Sequence, residues 1–259
     1  MLKKFRADLH IHTCLSPCAG LEMSPSAIVK TAGKKSLDII AITDHNSAEN
    51  VIAAQKTAAD TELTVLAGME ITSSEEAHIL ALFESVEDIL KLQDIVYENL
   101  LPGENDEKRF GEQIVVNEKD EVLSFNKRLL IAATALTASS IVDTIHSIGG
   151  LAVASHIDRE AFSIISQLGF IPDDLEFDAL EISPRTNREE ALTMFENYNS
   201  YAWISSSDAH DLKDIGRITA SFFMNKPTIA EMTLAMKSID GKANKITVHS
   251  YQFTVHGFY

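Results

Sequence analysis

The sequence is poor in cysteine: Cys14 and Cys18 are its only two, four positions apart. A scaffold held by several disulfides is therefore excluded, and the pair reads either as two unpaired thiols or as part of a metal or redox element. Proline is scarce as well, six in 259 residues, and there is no repeat or low-complexity stretch. Fibrous and disordered classes are set aside on those grounds. No apolar run approaches the length of a membrane span. The N-terminus, Met1-Leu2-Lys3-Lys4-Phe5-Arg6, has no apolar stretch of signal-peptide length behind its basic residues. A cytosolic protein without a membrane partner is the expectation. Positive charge is the last shortage: 22 Lys and Arg stand against 38 Asp and Glu, a formal net charge of −16. Non-specific attraction to long nucleic acid should be weak, and any phosphate group must be drawn in by locally placed cations.

What remains is ordinary globular material, 45% hydrophobic and 23% charged, long enough for one large α/β barrel or two modest domains. Short runs rich in Ile, Val and Leu predict strands over 5–10, 37–42, 64–71, 78–83, 151–154, 179–182, 202–205 and 221–224. Helical patterns fall between most of them, over 49–59, 86–100, 139–147, 161–168, 188–198 and 229–238. An additional helix starts at Ser24-Pro25, serine as N-cap and proline in the first turn, and ends near Gly33. Strand and helix in alternation predict βα units around a parallel sheet. The charged stretch 102–127 breaks this rhythm and reads as an insertion with a small hairpin around Asn117-Glu118-Lys119-Asp120, either covering the site or lying on the surface. The tail over 246–255 alternates like a strand.

The chemistry sits at the predicted strand ends. Asp8-Leu9-His10-Ile11-His12 closes the first strand, and residues two apart in a strand share a face, so both imidazoles can reach one ion. Asp44-His45 ends the second strand and Glu70 the third, His78 begins the fourth, and His156 and Asp208-Ala209-His210 follow later ones. Strand carboxyl ends form the working face of α/β barrels, so these residues should converge in space. Six of the nine histidines occupy such positions; His146, His249 and His256 do not and are read as structural. Mixed nitrogen and oxygen donors suit zinc, manganese or iron, with magnesium an alternative, better than calcium. Asp44 beside His45 reads as orienting a ligand. Arg128, Arg159 and Arg185 lie near strand ends and are candidates for holding phosphate oxygens of a substrate.

The set Asp8-Leu9-His10-Ile11-His12-Thr13, Ile42-Thr43-Asp44-His45, Gly68-Met69-Glu70, Ser155-His156 and Ser207-Asp208-Ala209-His210 resembles, in order and spacing, the PHP family of histidinol phosphatases and bacterial DNA polymerases. The resemblance implies a distorted (β/α)7 TIM-like barrel over 1–259, carrying the insertion and holding two or three divalent metals. It implies one ion held by His10, His12, Glu70 and Asp208, a second by Glu70, His78 and His156, and a third by His45 and His210. Family members often place an acid or histidine after the second histidine to complete the third site. Here the segment runs Thr13-Cys14-Leu15-Ser16-Pro17-Cys18-Ala19-Gly20-Leu21-Glu22, so Cys18, or else Glu22, would stand in.

Two ions sharing a carboxylate, about 3.5–4 Å apart, lower the pKa of a bound water towards about 7 and clamp an in-line displacement at phosphorus. A metal-dependent phosphoric ester hydrolase follows as the leading expectation, with metal-bound hydroxide as nucleophile. His10, His12, Glu70, Asp208 and His210 are its catalytic residues, and His210 or a metal-bound water is a candidate proton donor to the leaving group. Without a polymerase-sized extension a stand-alone enzyme is expected, acting on a small phosphorylated metabolite or nucleotide, with the end of a short oligonucleotide as a further candidate. Two other readings remain: amidohydrolase-like attack on a carbonyl, and a non-catalytic metal-binding module.

Overall fold

The computed structural model of the chain describes residues 1–239 and 243–247. In chain order the elements are β1 (Lys3–Ile11), α1 (Pro25–Lys34), β2 (Ile39–Ile42), α2 (Val51–Ala58), β3 (Thr64–Thr72), β4 (His78–Phe83), α3 (Val86–Asn99), α4 (Glu107–Phe110), β5 (Ile114–Val116) and β6 (Val122–Phe125). There follow α5 (Ala138–Ile148), β7 (Leu151–Ala154), α6 (Ile164–Leu168), β8 (Ala179–Ile182), α7 (Arg188–Met194), β9 (Ala202–Ser205), β10 (Thr219–Met224), α8 (Ile229–Met236) and β11 (Ala243–Thr247). Local chemistry sets many of the boundaries. Serine or threonine side chains cap the first turns of α1, α3, α5, α6 and α8, through Ser24, Ser85, Thr137, Ser163 and Thr228.

Nine strands form one sheet in the order β11-β10-β1-β2-β3-β4-β7-β8-β9, curled into a nearly closed TIM-like barrel. The parallel pairing expected from the alternation holds for β1-β2-β3 and for β7-β8-β9, with antiparallel strands added to it. β4 runs antiparallel to both its neighbours, β3 and β7, and β10 runs antiparallel to β1. The reason is the tight connection after Thr72: residues 73–77 are too few for a crossover helix, so the chain can only fold back as a hairpin. Reversal carries the start of β4 to the same end of the barrel as the finish of β3. That end of the barrel closes through the segment after β9, where Ile11 pairs with Ala209, His12 N–H donates to the Ala209 carbonyl at 3.0 Å and Ala209 N–H donates to the His10 carbonyl at 3.2 Å.

Two apolar layers follow the strand alternation. Leu9, Ala41, Leu66, Leu80, Leu82, Val153, Ala179, Ile204 and Phe222 form the interior, with Met232 of α8 packed on it. Ile11, Ile40, Ile42, Met69, Ile79 and Leu180 belong to the layer beneath the helices. In β1 the alternation is broken, because Ala7 and Leu9 face the interior and so does the register partner of Ala7, Ile39, whereas Ile11 pairs with the outward Ile42. The register slips between Asp8 and Ile11. This bulge turns His10 and His12 inward while Asp8 stays behind, so strand periodicity alone mispredicts the face that the two histidines share with Asp8.

The stretch 102–127 contains α4 and the β5–β6 hairpin, and it folds over the loops that follow β1 and β2. Ile114 N–H donates to the Cys14 carbonyl, Val116 N–H to Asn50 Oδ1, and Val115 packs on Leu15 and Leu130. Of the tail strand expected over 246–255, only Ile246 and Thr247 fall within β11; the rest, with His249 and His256, lies outside the described residues.

Gly68 sits inward on β3, two residues before Glu70. A Cβ there would meet the backbone carbonyls of both flanking strands, Ile42 at 2.7 Å and Ala81 at 3.2 Å, and the Thr43 side-chain methyl at 2.7 Å. Gly68→Ala is expected to lower stability by about 1–3 kcal/mol, read as a drop in thermal midpoint. An unchanged midpoint would show that the barrel wall yields freely.

Candidate metal centre

The inward faces of the strands place five imidazoles around one carboxylate. Glu70 Oε1 lies 3.0 Å from His78 Nδ1, 3.2 Å from His156 Nε2 and 3.3 Å from His10 Nε2, and Oε2 lies 3.1 Å from His45 Nδ1 and 3.4 Å from His12 Nε2. Asp208 Oδ1 approaches His12 Nε2 at 3.3 Å and His10 Nε2 at 3.4 Å. All of these residues are at most 8% exposed, which puts the whole cluster out of bulk water. Backbone turns aim the side chains: Asn46, His156 and Asp208 adopt positive φ at 49°, 30° and 49°, a conformation that non-glycine residues hold only when surroundings enforce it.

A further group gathers His12, Cys18, His45 and His210, with donor atoms all within 4.8 Å of one another. His210 Nε2 is 3.1 Å from Cys18 Sγ, while His210 Nδ1–H donates to the Asp208 carbonyl at 2.9 Å. Of the two stand-ins considered for this position, Cys18 is the one brought into the cluster; Glu22 is exposed and faces Asp211. Cys14 is buried against the Ile114 carbonyl, and burial pushes its thiol up to about 12, which leaves it a structural group.

Neighbouring polar groups settle the imidazole tautomers. His10 Nδ1–H donates to Glu181 Oε2 at 3.0 Å, a carboxylate that can only accept. Ser16 Oγ donates to Asp44 Oδ1 at 2.6 Å and so accepts from His12 Nδ1–H at 3.0 Å. Asp44 acts through Ser16, and it also receives Thr13 N–H and Thr13 Oγ1–H at 2.7 Å each. The Nε2 atoms of His10 and His12 then face each other at 3.2 Å, two lone pairs that repel unless a proton or cation lies between them. His45 Nδ1 is buried without a hydrogen-bond partner, although it sits 3.1 Å from Glu70. The mixed N, O and S donor set and these unpaired nitrogens fit divalent transition ions.

The electrostatics agree. Burial alone would raise the carboxyl of Glu70, but His78, His10 and His45 hold it well below the ordinary carboxylate range. Burial opposes protonation of His10, yet Glu181, Glu70 and Asp208 together raise it well above an ordinary histidine. Burial lowers His12 to about 4, helped by the nearby His210, and burial pushes His45 well down. His12 and His45 are thus neutral beside an ionised Glu70, as metal ligation requires, while the proton that the surrounding carboxylates hold on His10 is one that a bound cation would displace.

The arginines separate. Arg159 pairs with Asp208 Oδ2, and its Nε is buried without a partner. Together with Arg185 it lines a cleft of about 570 Å³. Arg128 is not in that cleft; its guanidinium stacks 4.0 Å over the Tyr97 ring at the edge of the insertion. His146 lies away from the cluster, paired with Asp178 at 2.9 Å. Sequence reasoning missed Glu181 and Ser16. The signal for Glu181 was legible, a lone charge in the otherwise apolar Ala179-Leu180-Glu181-Ile182.

The PHP domain family model matches residues 8–173, more than half of the chain. The uncharacterized protein MJ1587 of Methanocaldococcus jannaschii is 35% identical over 94 residues, 33% of this chain and 54% of that protein, so the chain spans about half the length of the curated relative that it matches. Among solved structures, the lesion-specific endonuclease PfuEndoQ from Pyrococcus furiosus superposes with a TM-score of 0.73 at 17% identity, covering 93% of this chain and 58% of that one. An amidohydrolase from Chromobacterium violaceum superposes at 0.58 and 17% identity, covering 86% and 92%. At such identities the superpositions establish the barrel fold, and the family model together with the motif residues at the barrel mouth establishes the rest: the chain belongs to the PHP domain family.

Proposed function

We propose that this chain, a metal-dependent hydrolase by family, cleaves phosphate esters of small phosphorylated metabolites or nucleotides. The observation that carries the reading is Arg159: a guanidinium tied to Asp208 at the edge of the imidazole cluster and partly exposed in the lining of an open cleft. A partly exposed guanidinium at such a place suits phosphoryl oxygens.

In this reading His10, His12, Glu70 and Asp208 hold one ion and Glu70, His78 and His156 a second, with Cys18, His45 and His210 at a third. Zinc, manganese or iron fits these donors. When bound, such ions supply an acidified water and positive charge opposite the phosphoryl group. The chain's own part is positional. Glu181 and Ser16 keep the His10 and His12 lone pairs turned inward, and the apolar floor formed by Leu9, Leu66 and Leu80 closes the site from below. Arg159 and Arg185 orient the substrate phosphates. His210, with Nδ1–H held by a carbonyl and Nε2 on Cys18, serves as a ligand rather than a proton donor.

Endonuclease Q, whose fold this chain shares, has been seen in complex with a 27-mer duplex bearing an abasic lesion at its active site, which supports chemistry at phosphorus and keeps an oligonucleotide among the substrates. The amidohydrolase likeness favours a second reading, hydrolysis at a carbonyl. Metal-stripped protein reloaded with Mn²⁺, Zn²⁺, Fe²⁺ or Mg²⁺ is expected to release phosphate from phosphomonoesters or nucleotides. Hydrolysis of lactones or amides in place of every phosphate ester would overturn the proposal in favour of the carbonyl reading.

The third site has a spectroscopic signature. Co²⁺-loaded protein is expected to show a sulfur-to-cobalt charge-transfer absorption that Cys18→Ser removes and Cys14→Ser retains. A band that survives Cys18→Ser would remove Cys18 from the site.

A further inference from the structure

Phe162 is an exposed residue beside the metal centre with a left-handed backbone, and the phosphoesterase reading gives it no task. Its φ is +60°, in the left-handed region that bulky residues avoid, and it is 44% exposed. Two contacts hold it there: its carbonyl accepts His78 N–H at 2.9 Å, and its ring stacks on the His78 imidazole with centroids 4.6 Å apart and planes 14° from parallel. One face of the ring is thus covered by a residue of the cluster, and the ring as a whole stays partly open to the cleft that it lines with Arg159 and Arg185. Strain that the surroundings maintain so that an apolar ring stands in solvent points to a ligand for that ring.

The rest of the cleft says which ligand. Asp158 lines it but is fully occupied, accepting from Ser183 N–H, Ser183 Oγ and Thr186 Oγ1. That loop fixes Arg185, which is exposed and has no side-chain partner among the described residues. Glu160 is the remaining acid in the lining, so the cleft offers two guanidinium groups and an aromatic face on a protein that is otherwise strongly acidic. Base–aromatic stacking and arginine–phosphate pairing are how flexible nucleotides are held.

Resting on the phosphoesterase reading, we propose that this cleft binds a nucleotide unit next to the scissile phosphate: its base stacks on Phe162, Arg185 takes a second, flanking phosphate, and Arg159 bridges to the scissile one. The substrate class is accordingly a phosphodiester end of a short oligonucleotide rather than a phosphorylated sugar.

Equilibrium dialysis of the full chain in chelator, where no hydrolysis occurs, tests this with three probes. The dinucleotide pdApdA carries base and second phosphate, dAMP lacks the second phosphate, and fructose 1,6-bisphosphate lacks the base. The expected order of affinity is pdApdA above dAMP above the sugar bisphosphate. Phe162→Leu, which keeps an apolar cover on His78, is expected to weaken pdApdA and dAMP at least fivefold and leave the sugar bisphosphate unmoved. Arg185→Gln, at an exposed position, is expected to weaken pdApdA more than dAMP. Equal binding of pdApdA by wild type and both variants would overturn the assignment, as would sugar bisphosphate binding as tight as the dinucleotide. Metal-dependent turnover of a base-free phosphomonoester by a wild type that fails to hold pdApdA would sink the cleft and leave the phosphoesterase reading standing. Tight pdApdA binding with no turnover of any phosphate ester would do the reverse.

Discussion

Glu70→Gln is expected to abolish metal-dependent phosphate release, lowering the rate by about 10³-fold or more, in line with losing a preorganised charge at a buried reacting centre. The reason is geometric. Glu70 lies within 3.4 Å of five imidazole nitrogens, alone among the carboxylates of the described residues, and both of its oxygens are engaged. Glutamine preserves the volume but removes the charge and replaces one acceptor with an N–H₂ donor. That donor would face the lone pairs of ring nitrogens from which an ion would otherwise draw its ligands. Metal content, measured by mass spectrometry after dialysis, is expected to fall together with the rate. Wild-type metal content and turnover in the variant would sink the bridging role of Glu70 and with it the assignment of two ions sharing a carboxylate.

Removing Glu181 should act one step further out. Its buried Oε2 accepts from His10 Nδ1–H at 3.0 Å and from His156 N–H at 3.1 Å. Glu181→Ala leaves both donors without an acceptor in a site closed to water, a loss of about 2–6 kcal/mol in folding stability at roughly 1–3 kcal/mol for each orphaned group. It also frees the His10 ring to turn or to shift its proton to Nε2, and metal affinity should fall about 10–100-fold, as when an outer carboxylate behind a ligating imidazole is lost. Glu181→Gln separates the two effects. The amide oxygen can still accept from His10, so most of the stability should return, while affinity should recover only in part because the charge that raises the His10 pKa is gone. Chemical denaturation and a metal-binding titration read the two quantities independently. Identical metal affinity in Glu181→Ala and wild type would show that the His10 ring is oriented by something else.

Much of this site was legible before any fold was known, because the residue types are specific and strand ends are easily read. His78–Phe83, Leu151–Ala154, Ala179–Ile182 and Ala202–Ser205 fall where short apolar runs bounded by polar residues place them. The ligand-capable residues at those ends converge as the barrel rule requires. Other features were hidden for a physical reason. A β-bulge depends on the register of two strands, so nothing in Asp8-Leu9-His10-Ile11-His12 alone reveals that Asp8 parts from the histidines. Asp8 instead receives Ser207 N–H at 2.9 Å and Gly216 N–H at 2.7 Å, and burial lifts its carboxyl to about 6. Arg128 looked like Arg159 in sequence, and only packing separated them, one onto the Tyr97 ring and the other onto Asp208.

By itself the sequence determined the α/β class, the cap of the first helix and which nine side chains at the predicted strand ends and in the loop after the first are chemically able to ligate a metal, since each depends on local periodicity or on side-chain chemistry. The tertiary structure alone decided that β4 runs antiparallel, that Cys18 and not Glu22 meets His210, that Glu181 and Ser16 set the imidazole lone pairs, and that Phe162 stands strained against His78. Those are contacts between segments up to about 200 residues apart, and which of many such contacts forms is settled by the packing of the whole barrel, where one register slip redirects every side chain that follows.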